Sequence, residues 1–358
     1  MKQKMVLFFV MILFYNLTIL ARSIHRPHDP SIPQITFYWK DNPTEKYVLR
    51  KPHLEEFPYF KTFNRNSFEK YILPNSLSIP SQRKGDPAIT TDQIKKMVDN
   101  VIPEIMHNKR SYTDFDIIKS EDFNFKDHCG ALILKFKNYP LILKLFFESP
   151  KSLIEPLSKG LIPSFHFYMG GGTNRHLTGF TRLRNHELIN EQLQDLPQWK
   201  DRIKLPHKWL YIPEGSRWIS IEGINMANKE SLYNEIPGTY AIIAEEIIAE
   251  RVFSLANKED KEIALQLTDD LQTTIDANIS NFRIEQKTGK IALIDTEHFP
   301  ALVGLKKPRK FRSYLDYYFS LSTKCCVDIM FQTKKSRKMV QTAENPFATA
   351  YFSESRVK

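Results

Sequence analysis

Alternating apolar and polar residues mark out a strand-rich region in the middle of the chain. Residues 115–123, 130–136 and 140–147 each have the short apolar runs of a strand. The last two runs are separated by Lys-Asn-Tyr-Pro at 137–140, a sequence typical of a turn. This pattern predicts a β-meander, in which consecutive strands pair in antiparallel fashion.

The chain beyond the meander alternates between helical and strand-like patterns. Apolar residues at helical spacing predict four helices, and shorter apolar runs predict strands. The predicted helices are residues 184–196, 246–255, 258–271 and 313–330. The predicted strands are residues 208–212 and 239–244, with a short hairpin near 218–221, followed by 281–286 and 290–294. The turn Lys287-Thr288-Gly289 indicates that the last two strands form a hairpin.

The N-terminal part of the chain shows little periodicity. Residues 23–90 are rich in proline, aromatic and charged residues, and we expect an irregular segment that wraps a folded core. Residues 88–107 follow with a helical pattern that Thr91 can cap. Pro103 lies inside this pattern and should end or kink the helix.

Composition narrows the classes of protein to consider. The 358 residues are 42% apolar and 26% charged, which is ordinary for a globular protein and leaves room for two lobes. The formal charge of +10 comes mostly from scattered lysines, with one dense block at 334–338, so we do not expect nucleic acid as the principal ligand. Three cysteines form no disulfide framework, and no zinc-ligand spacing is present.

The first 22 residues have the layout of a secretory signal peptide. A short basic region precedes a mostly apolar stretch of about 16 residues, after which small and polar residues follow. We therefore predict export to a periplasmic or extracellular location. The alternative is an uncleaved membrane anchor, which would be the chain's only contact with a membrane.

One segment carries the chemistry. Asp276 lies in a loop after a predicted helix, Asn281 follows five residues later, and Asp295 ends an apolar strand after the hairpin. Phosphoryl transfer uses Mg²⁺ held by carboxylate and amide oxygens, together with a carboxylate that orients the attacking hydroxyl. This loop and strand end could supply both, although a surface loop with turn-forming Asp and Asn residues is the alternative interpretation.

The segment resembles the catalytic loop and magnesium-binding strand of the protein-kinase-like superfamily. It is most similar to the atypical branch, such as aminoglycoside and choline phosphotransferases or HipA-like kinases, because Thr-Glu follows the second Asp. The resemblance implies that Asp276 is the catalytic base and that Asn281 and Asp295 are metal ligands. It also implies ATP and Mg²⁺ as cofactors, and an α+β, two-lobed fold with a small antiparallel β-sheet N-lobe and a short, mainly helical C-lobe.

The preceding elements follow the order that this resemblance requires. Lys144, inside a predicted strand, corresponds to the lysine that contacts the nucleotide phosphates, and either Glu187 or Glu191 would pair with it. Ala244 and Glu245, at the end of the next strands, correspond to the hinge that binds adenine. The sequence differs from the family at the glycine-rich loop that covers the phosphates, because only Gly130 is available for that loop.

These expectations lead to two functional hypotheses. The first is an ATP- and Mg²⁺-dependent phosphotransferase that acts on an unknown protein or small-molecule hydroxyl. The second is an exported pseudokinase or binding module on the same scaffold without catalysis, favoured by the missing glycine loop and by the predicted export to a compartment where ATP is scarce. The predicted organisation is a signal or anchor (1–22), an extension with one helix (23–111), an N-lobe (112–245), a C-lobe (246–335) and a basic tail (336–358).

Overall fold

A computed structural model describes residues 34–50, 63–153, 173–224, 231–271, 275–297, 312–316 and 351–352. Within these ranges the chain is an α+β protein with mainly antiparallel sheets, which confirms the predicted fold class at that level. The predicted signal segment, the basic tail block at 334–338 and most of the helix predicted at 313–330 lie outside the described residues. None of the helices in the described ranges has the length and apolar character needed to cross a membrane.

The elements are numbered in chain order. The helices are α1 (Arg65–Phe68), α2 (Thr91–Met106), α3 (Thr173–Gln194), α4 (Pro197–Lys200) and α5 (Lys258–Asp270), with 3-10 turns at Glu69–Tyr71 and Ile279–Asn281. The strands are β1 (Gln34–Trp39), β2 (Asn42–Arg50), β3 (Ser78–Ile79), β4 (Ile89–Thr90), β5 (Phe115–Lys119), β6 (Phe123–Asn124), β7 (Cys129–Phe136), β8 (Leu141–Phe147), β9 (Ile203–Lys204), β10 (Lys208–Tyr211), β11 (Trp218–Ile224), β12 (Ser231–Pro237), β13 (Thr239–Glu245), β14 (Ala249–Val252), β15 (Phe282–Glu285), β16 (Ile291–Leu293) and β17 (Tyr351–Phe352).

The central sheet has the strand order β10–β13–β8–β7–β5 and is antiparallel throughout, as the meander pattern predicts. Helix α2 covers one face, where Leu143 and Leu145 of β8 join its apolar side chains. Helix α3 covers the other face, where Phe146 and Tyr240 meet Phe180. Both faces of the sheet are therefore buried, and alternate residues of β8 point into two different cores.

Helix α2 shows where local signals succeeded and where they failed. Its N-terminus is capped by Thr90, one residue before the predicted cap, and Gln93 completes a capping box. The helix continues through Pro103 to Met106, so the proline does not end it. Four buried apolar residues dock the helix on the sheet, and this packing outweighs the hydrogen bond lost at the proline: Ile94, Val98, Val101 and Ile105.

The N-terminal segment is more ordered than the sequence predicted. Residues 34–50 form the hairpin β1–β2, and β1 pairs with β11 in a second sheet of order β12–β11–β1–β2–β17. Within β1, Ile35 and Phe37 are buried and Thr36 and Tyr38 are only partly so, which is the period of a strand. The prediction of irregular structure across 23–90 is wrong here, because proline-rich surroundings concealed a six-residue alternation.

The helix predicted at 246–255 is absent, and its place is taken by the short edge strand β14. Ile248, Val252 and Leu255 are all exposed, so their helical spacing did not reflect a buried face. The neighbouring predictions are confirmed: α5 matches the helix expected at 258–271, and β15 and β16 form the expected hairpin. This hairpin belongs to a third sheet of order β14–β15–β16–β9.

Candidate functional site

Lys144 reaches the site because of the alternation along β8. Its neighbours Leu143 and Leu145 point towards α2, so its own side chain points towards α3. There the ammonium nitrogen Nζ lies 3.4 Å from Oδ2 of Asp295, which is 151 residues away in sequence. Burial lowers the pKa of Lys144 and the carboxylate opposes that effect. An ammonium group is stable in this position because an anion faces it.

Asp295 follows β16 and is held by cations on both of its carboxylate oxygens. Oδ1 accepts a hydrogen bond of 2.8 Å from Nε of Arg182 and one of 3.1 Å from the backbone N–H of Glu297. Oδ2 lies 3.3 Å from Nη2 of Arg182 and 3.4 Å from Lys144. Burial favours the neutral acid, but Arg182 and Lys144 outweigh it and hold the pKa of Asp295 well below its usual range.

Arg182, on the buried face of α3, is the central cation of the site. Besides Asp295, it donates from Nη2 to Glu297 at 2.6 Å and from Nη1 to Thr178, one turn earlier, at 2.6 Å. Its side chain is 7% exposed. Burial disfavours the charged form, but the two carboxylates more than compensate and raise the pKa of Arg182.

The segment that follows β16 is tied to the rest of the site through Thr296. Its hydroxyl donates to the backbone oxygen of Arg182 at 2.7 Å and accepts from Nζ of Lys208 at 2.9 Å. The side-chain amide of Asn185 donates to the Thr296 carbonyl at 2.8 Å. Lys208 is buried, and burial, together with nearby Lys144, holds its pKa well below the ordinary value. Residues 295–297 are thus fixed between α3 and β10.

The loop that carries Asp276 and Asn281 lies beside this cluster. The Asn281 side-chain amide donates to Oδ2 of Asp276 at 3.3 Å, and Oδ1 of Asp276 accepts from the backbone of Asn278 at 3.1 Å. The backbone N–H of Ile294 donates to the carbonyl of Asn281 at 3.0 Å. Because Ile294 immediately precedes Asp295, the structure brings all three residues of the predicted motif to one end of the hairpin.

Neither predicted glutamate is the partner of Lys144. Glu187 instead bonds to Nζ of Lys70 at 2.6 Å and to the hydroxyl of Tyr71. Glu191 is exposed further along α3. The physical reason is helical phase: five residues separate Glu187 from Arg182, which turns it well away from the buried face. The expectation that Glu187 or Glu191 pairs with Lys144 is therefore wrong, and Arg182 is the α3 residue that enters the site.

The predicted hinge lies at the end of β13. Ala244 is paired with Ile142 on one side and Lys208 on the other. The backbone N–H of Glu245 donates to the carbonyl of His207 at 3.1 Å. That amide is therefore occupied within the sheet, and adenine binding by Ala244 and Glu245 stays a prediction.

Sequence reasoning missed Arg182, Lys208 and the anchoring role of Glu297. The sequence pattern predicts a helix that starts at residue 184, two residues after Arg182. One signal was present: Arg182 lies between the apolar residues Phe180 and Leu183, on the stretch that the structure shows to be the buried face. A long cation there requires a buried anion, and Asp295 and Glu297 are the anions it finds.

No protein-family model, no curated protein and no solved structure matches the chain. The kinase-like resemblance consequently rests on the residues of this chain alone.

Proposed function

We propose that the chain is a non-catalytic, kinase-like module that binds a phosphate-bearing nucleotide. The observation that carries the proposal is the state of Asp295, whose two carboxylate oxygens are both bonded to cationic side chains. In a phosphotransferase of this kind the same oxygens would hold the metal. The sheet lysine, the helix behind it and the Asp276–Asn281 loop beside the hairpin support the kinase-like part of the proposal.

The arrangement does not fit Mg²⁺. Like charges 4 Å apart oppose one another by about 4 kcal/mol per pair of unit charges at an effective dielectric constant of 20. A divalent ion beside both Arg182 and Lys144 would meet about twice that from each, so the attraction of Asp295 and Glu297 would be offset and no net attraction would remain. We therefore derive no metal-dependent step.

An active phosphotransferase is the second candidate, and one contact favours it. The carboxylate of Asp276 and the amide of Asn281 lie side by side, at the same end of the hairpin as Asp295. These are the residues that the resemblance assigns to the base and to a metal ligand. Catalysis would require Asp295 to exchange its present partners for a metal.

The test is a thermal-shift measurement with ATP and with ADP, run beside a labelled-ATP transfer assay. We expect both nucleotides to stabilise the protein, by about 2.7 kcal/mol at a hundred times the dissociation constant, and no transfer. Lys144→Met should weaken this stabilisation. Lys135→Met is the matched control, because Lys135 lies on the same face of the same sheet but pairs with Glu246.

Each outcome decides between the candidates. Phosphoryl transfer by the wild type that Asp276→Asn abolishes would overturn the non-catalytic proposal in favour of the second candidate. If neither ATP nor ADP stabilises the protein under any metal condition, nucleotide binding itself is refuted.

A further inference from the structure

A cleft lies beside β5, at one end of the central sheet and on the face that α2 covers. It is bounded by one side of α2 and by residues 113–115, where β5 begins, and we call it the α2 cleft. Its volume of about 380 Å³ falls within the range of roughly 300–1,000 Å³ that is usual for small-molecule pockets. Arg182 and its partners lie on the opposite face of the sheet, so the α2 cleft is a separate site.

One part of the α2 cleft is apolar and can hold a hydrocarbon group. Met97, Val101 and Pro103 of α2 line this part together with Phe115 of β5. Val101 and Phe115 are buried and belong to the core between α2 and the sheet. The apolar part of the cleft therefore continues from that core, and a ligand there would remove apolar surface from water.

The other part of the α2 cleft is acidic. Glu104 and Asp114 contribute carboxylates, and none of the lining residues that the structure describes is a lysine, arginine or histidine. Of the nearby cations outside the lining, Lys137 donates to two backbone carbonyl oxygens at 2.6 and 3.0 Å, and Arg110 lies 3.4 Å from the ring centroid of Phe125. Glu104 also lies in the last turn of α2, where the helix favours positive charge and supplies no basic residue of its own. These features favour a cation over an anion.

Glu104 is held in position and keeps capacity for a ligand. Its carboxylate accepts from the hydroxyl of Thr113 at 3.0 Å and from the backbone N–H of the same residue at 3.3 Å. Since a carboxylate has about four acceptor sites, these bonds do not saturate it. An ammonium group of the chain already lies beside it, because Nζ of Lys109 is 3.4 Å from Oε1. The Lys109 side chain is 56% exposed, and an exposed pair of this kind contributes little to stability, so a ligand can replace it.

We infer that the α2 cleft binds a small primary amine with an apolar body. The hydrocarbon part packs on Met97, Val101 and Phe115, and the ammonium group binds the carboxylates of Glu104 and Asp114 in place of Lys109. Charge selects the amine over an acid or an alcohol of the same shape. The inference does not depend on the proposed nucleotide site, so either can fail without the other.

Titration of phenethylamine into the full chain, followed by calorimetry or ligand-observed NMR, tests the class of ligand. Hydrocinnamate and phenethyl alcohol are the matched probes, because they keep the shape and replace the positive charge by a negative one or by none. We expect saturable binding of the amine, and binding of the other two that is weaker by roughly tenfold or more. No saturable binding of the amine, or equal binding of all three, would overturn the inference.

Two variants of the α2 cleft have opposite expected effects on amine affinity. Glu104→Gln keeps the shape but removes a charge, and should weaken binding by roughly tenfold. Lys109→Met removes the competing ammonium and should tighten binding by about two- to fivefold. Asp116→Asn, at an exposed position of β5 outside the lining, is the control and should bind as the wild type does.

Wild-type affinity in Glu104→Gln, or weaker binding in Lys109→Met, would overturn the assignment of these residues. If Glu104→Gln does not fold, the three probes on the wild type and the exposed Lys109→Met variant still decide.

Discussion

Replacing Arg182 by methionine tests whether the cluster is the stabilising unit that its contacts indicate. Methionine keeps most of the apolar stem, so the change removes chiefly the guanidinium. Glu297, 6% exposed, then loses a partner at 2.6 Å, and Asp295 keeps Lys144 at 3.4 Å and the backbone N–H of Glu297 at 3.1 Å. Removing one partner of a buried ion pair costs about 3–5 kcal/mol, and we expect Arg182→Met to lie in that range.

If loss of the Arg182 charge causes the destabilisation, the free-energy costs of changing Arg182 and Glu297 should not be additive. If the cost comes from a buried carboxylate that has lost the charge of Arg182, neutralising that carboxylate should recover part of it. Glu297→Gln introduced into Arg182→Met should therefore restore about 1 kcal/mol or more, although Glu297→Gln alone destabilises the protein. Arg184→Met, at an exposed position of the same helix, should cost less than about 1 kcal/mol.

Urea unfolding measures these free energies for the wild type, the two single variants and the double variant, with Arg184→Met as the exposed control. The slopes with denaturant should agree among the variants, since only then do the midpoints report native-state stability. A cost below about 1 kcal/mol for Arg182→Met, or strictly additive effects in the double variant, would refute the reasoning.

Two further predictions concern the surroundings of Arg182. Burial lowers the pKa of His186 from 6.5 to about 4, so the unfolded chain takes up a proton that the folded chain does not between those values; stability should fall by up to about 3 kcal/mol as the pH falls through that window. Unfolding free energies measured at pH 4.5 and pH 7 should differ less in His186→Gln than in the wild type. The difference should be retained in His207→Gln, because His207 is exposed. An unchanged pH dependence in His186→Gln would contradict the assignment. A Cβ on Gly179 would lie 2.0 Å from the hydroxyl oxygen of Tyr240, so Gly179→Ala should cost about 1–3 kcal/mol by thermal or urea unfolding, whereas Gly215→Ala, with no atom within 4 Å, should be tolerated. Equal effects of the two alanines would show that the close approach is relieved without cost.

The sequence predicted the site best where a functional residue lies within a strand or hairpin that has a clear local pattern. The strand that carries Lys144 and the hairpin that ends at Asp295 were recognised from apolar runs and a turn, and the structure places their side chains in contact. Arg182 could not be found in this way, because its partner lies 113 residues away and contacts between distant segments leave no periodic trace. The pairing predicted between Lys144 and either Glu187 or Glu191 failed for a related reason: spacing along a helix does not say which face is buried.

The N-terminal region modifies the predicted domain organisation in a way that bears on the site. Phe63 and Phe68 pack on Phe180 of α3, with ring centroids 4.6 and 5.6 Å apart, and Phe180 stacks on Tyr240 at 4.0 Å. Helix α3 is consequently held between the N-terminal segment and β13, only two residues before Arg182. Since β1 also pairs with β11, the region that was predicted to be an extension contributes to the same core as the helix. The orientation of Arg182 towards Asp295 therefore depends on residues of the predicted extension (23–111) as well as on residues that follow it.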